Sequence, residues 1–395
     1  MAGQRDPDEH PYGWVVAWAC FTVLAVVFGA SYAFAAFFES LQTAFAATRA
    51  DVSLVFGLSG LLYFVLGAGA GILADRFGPR AVVAAGMLCV AAGLAASSWA
   101  PTLTAVTLTY GIGLGVGIAL VYTPAMASVP PWFTRRRGLA AGLASAGIGA
   151  GTLLVPLAVT WAIEVVQWRG ALRGLALFVL LLGVGAAMLL RRAPATQSAA
   201  SRPASGATLR EALAQPSFQW LYAMCVLGGP SMFIPFAHVS AAARDLGVPD
   251  AQAVGLVGLI GIGSLSGRFL IGGLADRMGR SRTLVVMQVS LGLAFLAWAL
   301  ADGYWAMAVF AAWMGLSYGG IVSLMPALCM DLYGGRAVSS ILGVLYTGAG
   351  VGNLAGPWLA GFVFDATGRY AGVIGGCMAL SALATLSAWR ALRGH

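Results

Sequence analysis

Apolar runs long enough to cross a bilayer recur along the whole chain, each closed by a short polar connector. A membrane helix needs about 20 apolar residues. Reading between charges and turn residues predicts twelve spans. Six lie at 14–38, 52–73, 81–99, 102–129, 138–163 and 170–190, and six at 218–240, 251–274, 283–301, 304–330, 337–364 and 370–389. The one long polar connector, 191–217, is rich in Pro, Ala, Ser and Thr, a flexible-linker composition. Within it, 209–214 reads as a short amphipathic helix. The expected fold is an all-α membrane protein, with one bundle in 1–190, the linker in 191–217 and a second bundle in 218–395.

The two halves repeat. Gly71-Ile-Leu-Ala-Asp75-Arg76-Phe-Gly78-Pro-Arg80 returns 201 residues later as Gly272-Gly-Leu-Ala-Asp276-Arg277-Met-Gly279-Arg280. Gly149, Gly151 and Pro156 return at the same offset as Gly350, Gly352 and Pro357. A duplicated, strongly apolar chain is the signature of a transporter built from repeats.

Composition narrows the reading. Charged residues make up 9% of the chain, against about 25% in soluble domains. All 22 basic residues are arginine, and most sit in the connectors that share a side with the linker. Arg76, Arg80, Arg135, Arg136, Arg137, Arg191, Arg192, Arg277, Arg280, Arg282 and Arg336 are among them. The opposite connectors hold Arg49, Arg169, Arg173, Arg244 and Arg369 together with Glu164, Asp245, Asp250, Asp302 and Asp365. The positive-inside rule therefore expects both termini and the linker in the cytoplasm of a multi-pass cell-membrane protein. The first run follows an acidic tail, Asp6-Pro-Asp8-Glu9-His10, and reads as a retained span, not a signal peptide. The net charge of +8 does not imply nucleic acid, because no basic patch interleaves with aromatics. Five scattered cysteines form no CxxC pair, no nucleophile–base spacing is present, and no phosphate-binding lysine exists. An enzyme, a metal or other cofactor, and ATP-driven transport by this chain alone are not expected.

The paired Gly-x-x-x-Asp-Arg-x-Gly loops, the twelve spans and the linker resemble the major facilitator superfamily across essentially the whole chain. Within it the chain resembles the monocarboxylate transporters and their bacterial relatives, including the oxalate:formate antiporters. The residues that carry this are Tyr12-Gly-Trp-Val-Val, Trp132-Phe-Thr-Arg-Arg-Arg-Gly-Leu, His238…Ala243-Arg-Asp-Leu-Gly247 and Gly267-Arg268-Phe-Leu-Ile-Gly-Gly. The resemblance implies alternating access, in which two bundles rock around a central site, driven by a proton or by anion exchange. It also places Asp75, Arg76, Arg80, Asp276, Arg277 and Arg280 at a gate on the cytoplasmic side, away from substrate.

Arg268 lies eight residues before Asp276, about 12 Å down a helix and too deep for easy snorkelling. A buried arginine is expensive and is kept for a partner or a function. Its fork suits a carboxylate, and the resemblance gives the eighth-span arginine that role. Ser264 lies one helical turn earlier on the same face. Tyr318, in a glycine-rich stretch of the tenth span, and Asn353 of the eleventh are further candidates for the substrate site. From the first half come Tyr32, Tyr122 and Ser145. One buried arginine suits a small monocarboxylate such as lactate or pyruvate; the antiporter's eleventh-span lysine has no counterpart here. The animal transporters' first-span lysine and eighth-span aspartate are missing as well, which leaves His238, near the outer end of the seventh span, as the proton-coupling candidate. Expected partners are thus a monocarboxylate anion, a proton and the bilayer, with the chain functional as a monomer. Organic-anion exchange and efflux of a drug or metabolite stay open as alternatives.

Overall fold

The computed structural model describes residues 11–133, 136–193 and 206–393. The first bundle begins with α1 (Tyr12–Tyr32), which runs on through a one-residue irregularity at Ala33 into α2 (Phe34–Phe45). It continues with α3 (Arg49–Phe77), α4 (Pro79–Trp99), α5 (Leu103–Ser128), α6 (Arg137–Phe178) and the short α7 (Val184–Ala187). After α8 (Leu209–Leu213) the second bundle contains α9 (Pro216–Asp245), α10 (Asp250–Met278) and α11 (Arg280–Ala299). It closes with α12 (Tyr304–Tyr333), α13 (Val338–Thr367) and α14 (Ala371–Leu392). No strand occurs among the described residues, only an isolated bridge between Gly206 and Gly334.

Among the described residues eleven helical segments are long and apolar enough to span a membrane, and one of them makes two crossings. Leu139–Ala187 holds 49 residues, about 73 Å at helical rise, more than twice the hydrocarbon thickness of about 30 Å. The reversal is at Gln167, whose φ of 62° and ψ of 164° break the helix. Its neighbours mark the levels. Trp168 packs edge-on against Phe45 at the far end of α2, and Arg169 donates to the carbonyls of Ser98 and Ala100 at the end of α4. Further along, Leu189 accepts from the Tyr12 hydroxyl at the start of α1, and Leu190 accepts from Arg80 at 3.2 Å. The chain therefore turns back at Gln167 and returns to the side from which α1 starts. Twelve crossings in two six-helix bundles result, as the sequence predicts. The side carrying Tyr12, α8 and Arg393 is called the linker face below, and the opposite side the distal face.

Glycine spacing explains the bundle geometry. Gly111 and Gly115 of α5 lie against Leu58 and the Ser59 carbonyl of α3, while Gly113 and Gly117 lie against Gly93 and Gly86 of α4. Two i, i+4 pairs thus let one helix approach two neighbours. In the second bundle Gly263 and Gly267 of α10 meet the carbonyls of Ala312 and Leu316 of α12, while Gly315 and Gly319 meet those of Ile260 and Ser264. Membrane helices pack by such backbone approach over small residues. A methyl group on Gly319 would lie inside contact distance of the Ser264 carbonyl, which is backbone and cannot swing away. Gly319→Ala is expected to cost about 1–3 kcal/mol through overpacking, read as a lower melting temperature in detergent with substrate absent.

The repeat reappears in how the halves meet. One seam joins α3 to α13 and the other joins α6 to α10. The 201-residue offset relates α3 to α10 and α6 to α13, so the two seams are equivalents. Gly60 faces Asn353 across the first, and their repeats Gly261 and Thr152 face each other across the second. The first seam is tight from Ala50–Gly361 at the distal face to Phe64–Gly350 in the middle. Beyond Phe64 it parts: Gly67 and Gly69 have open space beside them, and Leu66, Ile72 and Leu73 are exposed. The bundles are closed together at the distal face and separated along α3 toward the linker face.

The end of the linker is anchored. Ala207 donates to the Tyr333 carbonyl at 2.8 Å, and Thr208 and Glu211 form a reciprocal capping box that starts α8, the short helix expected at 209–214. Hydrogen bonds from the Thr208 backbone and hydroxyl hold the Glu211 carboxyl below its ordinary range. The linker residues 194–205 lie outside the described residues.

Candidate functional site

A cavity of about 90 Å³ lies between the bundles, where the seams begin to part. Its walls are aromatic. Phe28, Tyr63 and Tyr122 form a mutually edge-on trio with centroids 5.7–6.1 Å apart. On the other side Phe233 and Phe236 pack on Tyr318, and Tyr32 stacks on Phe236 at 4.2 Å. Edge-to-face packing of this kind fixes ring positions and keeps the cavity open. Tyr346 and Asn353 of α13 and Arg268 of α10 complete the lining.

Arg268 is the only cation among the lining residues, and no Asp, Glu or His joins it. It forms no ion pair with a described residue. The glycine contacts between α10 and α12 set the rotation of α10: Gly263 and Gly267 face α12, and Ser264 and Arg268, each one position on, turn toward the interior. Tyr32 and Tyr318, one from each bundle, line the cavity and the adjoining crevice together with Arg268.

The seven candidates for the substrate site divide by position. Arg268, Tyr318, Asn353, Tyr32 and Tyr122 line the cavity itself. Ser264 and Ser145 instead line a narrow crevice between α6 and α10 that opens on Tyr32, Arg268 and Tyr318. The Ser145 hydroxyl is bonded back to the Gly142 carbonyl at 3.0 Å. Asn353 is wedged into the space a side chain on Gly60 would occupy, and its Oδ1 has no partner among the described residues. Tyr63, Phe64, Phe233 and Tyr346 also line the cavity. Sequence reasoning did not single them out for the site.

The distal face carries the network that sequence reasoning missed. Arg49, at the start of α3, clamps Asp245 of α9 with two hydrogen bonds of 2.7 and 2.8 Å and donates to the Tyr370 hydroxyl at 2.7 Å. Its guanidinium lies 3.8 Å above the Phe364 ring. The backbone N–H groups of Arg49 and Ala50 donate to the Asp365 carboxylate of α13 at 3.0 and 2.9 Å, a carboxylate at a helix N-terminus. A second inter-bundle pair joins Arg244 of α9 to Glu39 of α2 at 3.2 Å, with Asp250 also on Arg244. The sequence reads Asp245 and Arg244 as loop charges, with His238 a possible partner for Asp245. That pairing is corrected: Asp245 belongs to Arg49. His238 lies about two turns before the distal end of α9. It is fully buried, with Ser53 Oγ and the Pro357 carbonyl at 3.0 and 2.8 Å from Nε2 and Tyr370 at 3.0 Å from Nδ1.

The loop residues of the linker face bond within their own bundles. Asp75 and Arg76 are exposed, with Arg76 over the Phe77 ring. Arg192 donates to the backbone carbonyls of Ala74 and Asp75, and Arg80 to that of Leu190. Arg280 pairs with both oxygens of Asp331 at 2.7 and 2.8 Å, and Arg277 is exposed. Asp276 lies in the last turn of α10, and its side chain lies outside the described part of the structure. Among the described residues no three His, Cys, Asp or Glu side chains gather into a metal site.

Comparison with known proteins agrees with this architecture. The family model described as Major Facilitator Superfamily matches residues 19–301 and 228–394. Monocarboxylate transporter 13 of Bos taurus is 29% identical over 373 residues, covering 94% of this chain and 87% of the relative. Monocarboxylate transporter 3 of Mus musculus is 33% identical over 375 residues, covering 92% and 76%. Among solved structures, a bacterial homolog to the human lysosomal transporter Spinster, in an inward-facing and occupied conformation, superposes with a TM-score of 0.73. That match covers 98% of each chain at 16% identity and speaks to fold alone.

Proposed function

The chain belongs to the major facilitator superfamily and, within it, to the monocarboxylate transporters, and on that premise we propose that it moves a small monocarboxylate across the membrane by alternating access, with Arg268 holding the carboxylate. It is a multi-pass membrane transport protein and not an enzyme. The observation that carries the proposal is the Arg268 guanidinium, with no ion-pair partner among the described residues, in a cavity that no described acidic residue lines. One carboxylate neutralises it. A second would enter uncompensated, at a cost of several kcal/mol. Size points the same way: the cavity of about 90 Å³ has the volume of about three waters at roughly 30 Å³ each. A three-carbon acid has that scale, and the aromatic walls accommodate its apolar end. Tyr32 and Tyr318 donate to the carboxylate from either bundle, while Ser264, Ser145, Tyr122 and Asn353 shape the remainder of the site.

In this reading 1–190 and 218–395 rock as two units joined by 191–217. The linker face, rich in arginine, is cytoplasmic. Asp75, Arg76, Arg80, Asp276, Arg277 and Arg280 latch that face in the opposite state, and the Arg49 and Arg244 networks latch the distal face in this one. The protein works as a monomer in the bilayer, and a proton accompanies the anion with His238 as the titrating group. The second reading is exchange of one organic anion for another. It is favoured by the lack of any carboxylate in the cavity to hold a coupling proton.

Proteoliposome uptake separates these. A panel of labelled mono- and dicarboxylates is offered with an imposed pH gradient, a membrane potential varied independently, and a preloaded counter-anion. Proton symport predicts pH-driven accumulation of short monocarboxylates that responds weakly to potential. Uptake that requires the counter-anion and ignores the pH gradient selects exchange. Transport of dicarboxylates or bulky neutral compounds in preference to monocarboxylates refutes the substrate assignment.

A further inference from the structure

Four elements meet His238 on α9. Ser53 comes from α3, Pro357 from α13, Tyr370 from the turn before α14, and the Phe38 ring of α2 lies edge-on at 5.5 Å. A carbonyl only accepts, so the Pro357 contact places the imidazole proton on Nε2 and leaves Nδ1 an acceptor. The Tyr370 hydroxyl then donates to Nδ1, while its oxygen accepts from Arg49 at 2.7 Å. The Ser53 hydroxyl is already donated to the Arg49 carbonyl at 2.6 Å, so its oxygen can share the Nε2 proton. A directed chain runs from Arg49 through Tyr370 and His238 to Pro357, from one bundle into the other. Every link is satisfied when the histidine is neutral.

A second proton on the ring breaks this order. Nδ1–H would face a hydroxyl whose own hydrogen points at it. The phenol must turn, and the imidazolium stands near the Arg49 cation. The surrounding carboxylates are committed: Asp245 to the Arg49 guanidinium, Asp365 to the backbone N–H groups of Arg49 and Ala50, and Glu39 and Asp250 to Arg244. No described acid is left to neutralise the new charge.

We propose that this chain is a proton-released latch: neutral His238 holds the distal face shut, and its protonation frees α3 from α9 and α13 so that the face opens. The proposal rests on the alternating-access reading and adds to it the place where the proton acts, which is the gate and not the substrate cavity.

The test reads opening without substrate. Thr104 and Asp302, exposed at the distal ends of the two bundles, are changed to cysteine for spin labels in full-length protein whose five native cysteines are replaced. Distances are measured in nanodiscs between about pH 8 and about pH 5. With His238 present, the widely separated population grows about tenfold or more as pH falls. His238→Gln, which can still donate to Pro357 but cannot charge, stays narrow throughout. Tyr370→Phe cuts the chain, so its wide population is already high at the alkaline end and changes about twofold or less. An unchanged response in either variant, or no response with His238 in place, overturns the latch. Carboxylate uptake with pH-invariant distances removes the latch alone; pH-driven opening without carboxylate uptake removes the transport reading alone.

Discussion

Arg268→Lys should insert and fold like the parent protein while its affinity for a short monocarboxylate falls about 10- to 100-fold, the loss of one charge-assisted hydrogen bond at roughly 1.5–3 kcal/mol. The charge is kept, so the carboxylate is still neutralised; what disappears is the planar fork that meets both oxygens. Arg268→Gln should do worse, because the anion then enters an aromatic cavity with no counter-charge, at a further cost of several kcal/mol. Tyr32 and Tyr318 still offer hydroxyls beside the vacated position, and hydroxyls alone do not offset the desolvation of an anion. Saturation binding to purified protein measures both variants, with the melting temperature as the check that the fold is intact. Parent-like affinity in Arg268→Lys would show that the carboxylate is held elsewhere.

Arg49→Ala should have the second large effect, and on the equilibrium between states more than on binding. The side chain joins α3 to Asp245 on α9, to Tyr370 before α14 and to the Phe364 ring of α13. Asp245 is 38% exposed, so solvent weakens that pair below its buried value. Even so, loss of the three contacts together is expected to shift the distal-closed population by about tenfold or more, which needs only about 1.4 kcal/mol. Reactivity of a single cysteine placed at Phe64, where the first seam begins to part, reads this when the reagent is added from the distal side: labelling should accelerate in the variant. Unchanged labelling with reduced substrate affinity would make Arg49 a binding residue and not a latch.

Much of this was legible in the sequence because membrane helices announce themselves by length and because the chain states its plan twice. The Asp75 and Asp276 loops fixed the offset, and the same offset relates the Gly60–Asn353 contact to the Gly261–Thr152 contact. Arg268 stood out because a cation deep in an apolar run has few bland explanations. The turn at Gln167 was legible only as a gap between two runs, since a single non-glycine residue with a positive φ makes the reversal. The distal network was hidden for a different reason. Arg49, Asp245 and Asp365 sit at helix ends, where charges are ordinary, and their pairing depends on how two bundles lean together, which no local pattern encodes. The full burial of His238 was not legible because α9 continues to Asp245, beyond the apolar run that suggested an end near residue 240. Tyr63 and Tyr346 were overlooked because a cavity aromatic and a packing aromatic look alike until the opposite wall is known.

The central claim is that one buried guanidinium recognises one carboxylate. Isothermal titration of the purified protein with a short monocarboxylate, its uncharged amide of the same shape, and a dicarboxylate of similar length tests it directly. The account predicts saturable binding of the monocarboxylate, weaker binding of the amide and the dicarboxylate by about tenfold or more each, and loss of the distinction between acid and amide in Arg268→Gln. Equal affinity for acid and amide in the parent protein, or a preference for acid that survives in Arg268→Gln, would contradict it.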